Sequence, residues 1–164
     1  VVQSWLASLL YGIVDELGGF HGLRLLMAVS TGALAGLFWL PTDRNSSVLI
    51  RAEVMVPPLW VGLHAWTERP LLIAYVLLAL MLVIAEGRGD PRWLVVVGFL
   101  WISVHGSRPL GLMILGARWF RSRIDRAAGG DPVTAEWRDR DADAAIWLSV
   151  GVLLAGIVNP YGPR

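Results

Sequence analysis

Two short connectors hold the residues best suited to chemistry. In Ser103-Val104-His105-Gly106-Ser107-Arg108-Pro109 a histidine and an arginine stand three apart between apolar stretches. In Thr67-Glu68-Arg69-Pro70 a carboxylate adjoins a guanidinium just before another apolar run. An arginine fork can grip a phosphate through two parallel hydrogen bonds, and a neutral imidazole can accept a proton. Arg69, His105 and Arg108 are therefore the candidate substrate-binding residues. Each also has a plainer explanation. Loops are polar because they meet water, and Arg69 can be held by Glu68 or by a helix end. No His-x-x-x-His pair, Ser-His-Asp arrangement or Gly-rich phosphate loop stands out, so no catalytic residue, metal ligand or cofactor is assigned. The chain has no Cys, which excludes disulfides and thiolate chemistry within these residues.

The elements that position these connectors are helices suited to an apolar solvent. Of 164 residues, 55% are hydrophobic and 16% charged, and the mean hydropathy is +0.58. A soluble domain of this length carries more charge and buries less apolar surface. Runs such as Leu71–Ala85, Leu94–Val104 and Ile146–Val158 contain no charged side chain. In lipid the backbone must satisfy its own hydrogen bonds, which helices do. The expected fold is all-α: a multi-pass transmembrane bundle of about six spans, preceded by an N-terminal amphipathic or partial helix over about Gln3–Leu17 that ends before Gly18-Gly19.

The six apolar segments are read at about Leu23–Leu40, Val48–His64, Pro70–Ala85, Trp93–Val104, Pro109–Phe120 and Ala142–Val158. The Pro57-Pro58 pair should break or kink the second of these. Gly32 and Gly36 share one helix face and are expected to lie against another helix of the same chain. Seven tryptophans, among them Trp93, Trp101, Trp119 and Trp147, fall towards segment ends, as an aromatic belt would place them. The whole of 1–164 reads as one membrane region, with 118–143 as a solvated connector whose mixed charges need no partner.

Sidedness follows from the arginines. All 14 basic residues are Arg, and nine of them fall in the connectors 41–47, 86–92 and 118–143. Positive-inside bias assigns those connectors to the cytoplasm. His21, His64 and His105, with Glu68, Arg69 and Arg108, then gather at the outer face. The net charge of +1 implies no nucleic-acid surface.

The ordered pattern of these residues resembles a family. Gln3-Ser4-Trp5-Leu6 through Leu17-Gly18-Gly19 is followed by Arg69-Pro70 and a span ending in Glu86 and Arg88. Trp101 then leads to Val104-His105-Gly106, and Asn159-Pro160-Tyr161-Gly162 follows the last span. This is similar to large bacterial polytopic proteins of the GT-C glycosyltransferase superfamily, which includes the protein mannosyltransferases. The resemblance implies a plasma-membrane enzyme that takes a sugar from a polyprenyl-phosphate carrier at the extracytoplasmic face. It also implies a catalytic carboxylate in a first outer loop, upstream of Val1, so Asp15 and Glu16 do not inherit that role. On this reading the chain is an internal piece of a longer protein, with membrane lipids, the lipid-linked sugar and the rest of that protein or partner subunits as its contacts. The alternative is a non-catalytic scaffold subunit or a segment of a transporter or flippase.

Overall fold

A computed structural model describes residues 4–40, 47–65, 70–105, 108–127 and 133–158. The described residues are helical and include no strand, in line with the all-α expectation. The helices are α1 (Trp5–Trp39), α2 (Val48–Ala65), α3 (Pro70–Val83), α4 (Leu94–Val104), α5 (Arg108–Ala127) and α6 (Val133–Val158). A π-helical turn, Ile84–Arg88, closes α3, and a 3-10 turn, Pro91–Trp93, opens α4.

Among the described residues, three helical stretches are long and apolar enough to cross a membrane: Trp5–Trp39, Leu71–Arg88 and Arg140–Val158, with mean hydropathies of 1.4, 2.1 and 1.7. These are compatible with a membrane location. Three such helices stand against the six spans read from the sequence. Pro91–Val104 is apolar but shorter, and at about 1.5 Å per residue it covers only part of a hydrocarbon core about 30 Å thick.

The two N-terminal segments read from the sequence join into α1, and the boundary between them survives as a break. Gly19 has φ 51° and ψ −144°, a backbone conformation open to glycine and closed to residues with a Cβ. The arms meet closely there, since a Cβ on Gly22 would lie 2.6 Å from the Val14 carbonyl oxygen. In α2, by contrast, helix continues through Pro57 and Pro58 rather than ending there. At the α1–α2 junction, Arg51 donates to the Trp39 carbonyl oxygen at 3.2 Å and lies over the Trp39 ring at 4.1 Å. One side chain of α2 thus supplies a partner to a helix-end carbonyl of α1 and a cation–π contact to its last ring.

The core lies among α3 to α6. Leu77 and Met81 of α3, Leu94, Val97 and Trp101 of α4, Leu115 of α5, and Ala144 and Leu148 of α6 form one buried cluster. Its closest approach is between α4 and α6. A Cβ on Gly98 would sit 2.5 Å from the Leu148 carbonyl oxygen, and one on Gly151 would run into the Val95 carbonyl. Two glycines facing opposite backbones let these helices pack without side chains between them. Gly111 of α5 does the same for the Trp101 ring, 2.8 Å from where its Cβ would be.

These contacts fix the helix directions. Met81, Trp101 and Gly111 share one level, and Glu86, Arg118 and Asp141 share another. So α3 and α5 run one way while α4 and α6 run the other. Pro70, His105, Arg108 and Val158 consequently lie towards one end, and Arg88, Pro91, Arg118 and Asp141 towards the opposite end.

One sequence expectation is corrected. Gly32 and Gly36 are exposed, and a Cβ on either would meet nothing within 4 Å among the described residues. The face of α1 that packs is the one carrying Leu34, against Leu72 and Ala79 of α3. Within the stretch 118–143 read as a connector, α5 runs to Ala127 and α6 starts at Val133. Measured from Arg118 and Asp141, the two helices extend about 14 and 12 Å further.

Candidate functional site

At the end where chemistry is expected, the three sequence-derived residues differ in what is described. Arg69 lies outside the described residues. Arg108 is the first residue of α5, and its side chain is not among those described. His105 ends α4 with extended backbone, φ −150° and ψ 141°, and its N–H donates to the Trp101 carbonyl oxygen at 2.8 Å. Its side chain is half-buried. The backbone therefore brings His105, at the end of α4, and Arg108, at the start of α5, to one end of the bundle, together with the start of α3.

The better-defined polar constellation stands at the opposite end, and sequence reasoning missed it. Arg118 of α5 joins two carboxylates from two other elements. Its Nε lies 3.3 Å from both oxygens of Asp141 on α6 and donates a hydrogen bond to Oδ2. Its Nη1 lies 3.8 Å from Oε1 of Glu86 in the π-helical turn, an electrostatic contact longer than a hydrogen bond. Asp141 is only 3% exposed, while the other two side chains are nearly a third exposed. Among the described residues Asp141 Oδ1 accepts no hydrogen bond, although it faces the guanidinium. A carboxylate taken this far from water is tolerable only beside such a cation.

Helix periodicity explains how the pair is placed. Asp141, Ala144, Leu148, Gly151 and Ala155 are all buried and follow one another at three- and four-residue steps. Asp141 thus stands in register with the core stripe of α6. Gly111, Leu115 and Arg118 follow the same spacing on α5. That register was the available signal. Reading 118–143 by its charge composition hid it, because composition treats every charge in a polar stretch as solvated.

The turn beside the triad is built by its glycines and one proline. Gly87 has φ 80°, in the left-handed region, and a Cβ there would run into the Arg140 guanidinium. Asp90 then accepts a hydrogen bond from the Arg92 N–H at 2.9 Å, with Pro91 at the first position of the 3-10 turn. This is a side-chain cap next to a preset φ. Ile84, Ala85, Gly87, Gly89, Arg140 and Asp143 line part of a cleft of about 210 Å³ next to the triad. That volume is below the range of roughly 300–1,000 Å³ typical of sites for drug-sized ligands.

Chemically, the triad can clamp three elements and hold a charge at the edge of the apolar core. Its arginine already serves two carboxylates. Among the described residues no group of three or more His, Asp or Glu side chains is placed to hold a metal ion. No protein-family model, curated protein or solved structure matches the chain.

Proposed function

We propose that the chain is a multi-pass helical unit of a bacterial plasma-membrane protein. In this reading it lines the donor site of a GT-C-like glycosyltransferase that uses a polyprenyl-phosphate-linked sugar. The observation that carries it is the gathering of the end of α4, at His105, the start of α5, at Arg108, and the start of α3, at Pro70, at a single end of an apolar bundle. A donor phosphate at a lipid boundary is less screened by water and gains more from a guanidinium fork than from an ammonium. In this reading Arg69 and Arg108 hold the phosphate and His105 lends a hydrogen bond or takes a proton. No carboxylate of this chain is assigned to the transfer step. The family pattern of residues supports the sugar-transfer chemistry, and the arginine distribution supports an outward-facing donor end.

Binding of a polyprenyl-phosphate analogue to the wild type, Arg69→Gln and Arg108→Lys tests the assignment. The expected result is weaker binding in both variants with unchanged melting. Equal affinity in all three would remove the arginines from the site. That outcome would favour the second reading, a non-catalytic scaffold or transporter segment, for which the Arg118–Asp141–Glu86 clamp is the supporting observation. Its three partners rigidify the bundle without presenting an unoccupied charge to a substrate.

A further inference from the structure

The clamp at the end opposite the proposed donor site is not built like a locked ion pair. A guanidinium locked onto a carboxylate makes two parallel hydrogen bonds, each about 2.7–2.9 Å long. Arg118 meets Asp141 through Nε alone, 3.3 Å from both oxygens, and donates only to Oδ2. Its Nη1 is turned to Glu86, 3.8 Å from Oε1. One cation thus stands between two carboxylates and is fully engaged with neither. We propose that Asp141 is a proton-binding site, which takes up one proton as Arg118 passes from it to Glu86. The inference goes beyond the donor-end reading and does not rest on it.

Burial singles out Asp141. Over 86–92 and 118–143 the arginines and carboxylates are equally numerous, so charge count distinguishes no group there. Asp141 is 3% exposed, and among the described residues its Oδ1 accepts no hydrogen bond. Leaving water is costly for an ionised carboxylate so placed, and the guanidinium offsets that cost only while it stays close. A neutral carboxyl group loses far less on burial. The side chains of Arg118 and Glu86 are 28% and 30% exposed, so a guanidinium moved towards Glu86 keeps its contact with water. In the exchange Asp141 gains one proton from water and becomes neutral. Arg118 keeps all of its own protons, and its charge then faces Glu86 alone.

The elements packed around Asp141 leave this pair of partners in control. From α5, Arg118 is in ion-pair contact with it, while Arg121, one turn on, is exposed. The π-helical turn brings Glu86, with Arg88 exposed at its end, and such turns recur at functional sites. The 3-10 turn brings Arg92 and its cap Asp90, both exposed, whereas α4 brings the apolar Leu94 and Val97. On α6 itself, Arg140 and Asp143 are exposed and line the cleft of about 210 Å³. That cleft also meets Ala85 and Gly87, on either side of Glu86, and Ala144, one turn after Asp141. It opens the level of both carboxylates to water.

The test follows the carboxyl C=O stretch by infrared difference spectroscopy during acid titration of the full chain in lipid. Wild type should develop the band of a protonated, buried carboxyl group, and Asp141→Asn should remove it. In Glu86→Gln the midpoint of that band should move to lower pH by about one unit, a tenfold loss of proton affinity. That variant removes both the arginine's second partner and a nearby negative charge. Asp141→Asn also mimics the protonated state, so Glu86→Gln should destabilise the chain more in that background than in wild type. No band that Asp141→Asn removes would mean that Asp141 stays ionised, and would overturn the site. A midpoint left unchanged by Glu86→Gln, or an equal cost of Glu86→Gln in both backgrounds, would overturn the transfer of Arg118.

Discussion

The N-terminal helix and the α3–α6 bundle are made of similar residues yet behave differently. The most apolar window of α1 is 6% buried, while Leu71–Arg88 is 44% buried. Both contain glycines on one helix face. In α1, Gly32 and Gly36 open onto nothing among the described residues. Between α4 and α6, Gly98 and Gly151 each meet the partner's backbone. Hydrophobicity therefore does not decide which helices pack. In lipid every apolar helix is already in an apolar solvent, so association depends on how closely surfaces fit. Spacing of small residues permits such a fit, and only a partner with its own gap at the same height completes it.

The strongest test of this contrast is substitution at Gly151. Gly151→Leu sets a side chain against the Val95 carbonyl and within 3.0 Å of the Phe99 nitrogen, atoms that cannot move without shifting α4. Folded, monodisperse protein in detergent is expected to be lost. Normal yield would show that the two helices slide apart cheaply. Next in size is Arg118→Gln, which strands the buried Asp141 carboxylate and is expected to cost about 3–5 kcal/mol. The double variant Arg118→Met/Asp141→Leu should recover most of that, because it removes both charges. Chemical denaturation of the single and double variants measures the recovery. If the double variant is as unstable as the single one, shape rather than charge holds that level.

Smaller is Gly87→Ala, which forces an L side chain into a left-handed conformation and displaces Arg140, at about 1–2 kcal/mol. Its melting temperature should fall, whereas Gly116→Ala, with nothing within 4 Å of its Cβ, should not. The smallest effect is expected in α1. Gly32→Leu/Gly36→Leu should change stability by less than about 0.5 kcal/mol, as a surface substitution does. A large loss would mean that this face has a partner and would remove the contrast drawn above.

Much of the architecture was legible in the sequence for physical reasons. Apolar runs bounded by Pro41, Pro70 and the Arg88-Gly89-Asp90-Pro91 turn marked helices close to where they stand, because charge and proline end an apolar helix locally. Gly18-Gly19 marked a real break, since one of the pair needs φ above zero. What escaped was register. Asp141 belongs to a core stripe by its spacing from Ala144 and Leu148, but its neighbours Arg140 and Asp143 are exposed and suggested open solvent. Local composition carries no information about Arg118 on a different helix, and the pairing of Gly98 with Gly151 is equally non-local. Of the candidate donor residues, His105 ends α4 and Arg108 begins α5. Arg69 falls outside the described residues.

The pairing of α4 with α6 also bears on how the protein is made. With 11 residues, α4 is about 16 Å long, too short to settle alone across a bilayer. Its closest backbone partner, α6, leaves the ribosome last among the described helices, ending roughly fifty residues after α4 does. At the usual pace of synthesis that interval lasts about 3–10 s. During this time the α4 face that meets Gly151 lacks its partner from α6. A ribosome pause placed between Ala127 and Val133 would lengthen the wait and leave α4 open to quality-control proteolysis. Codon choice in that short stretch should therefore affect yield more than the same change made after Val158.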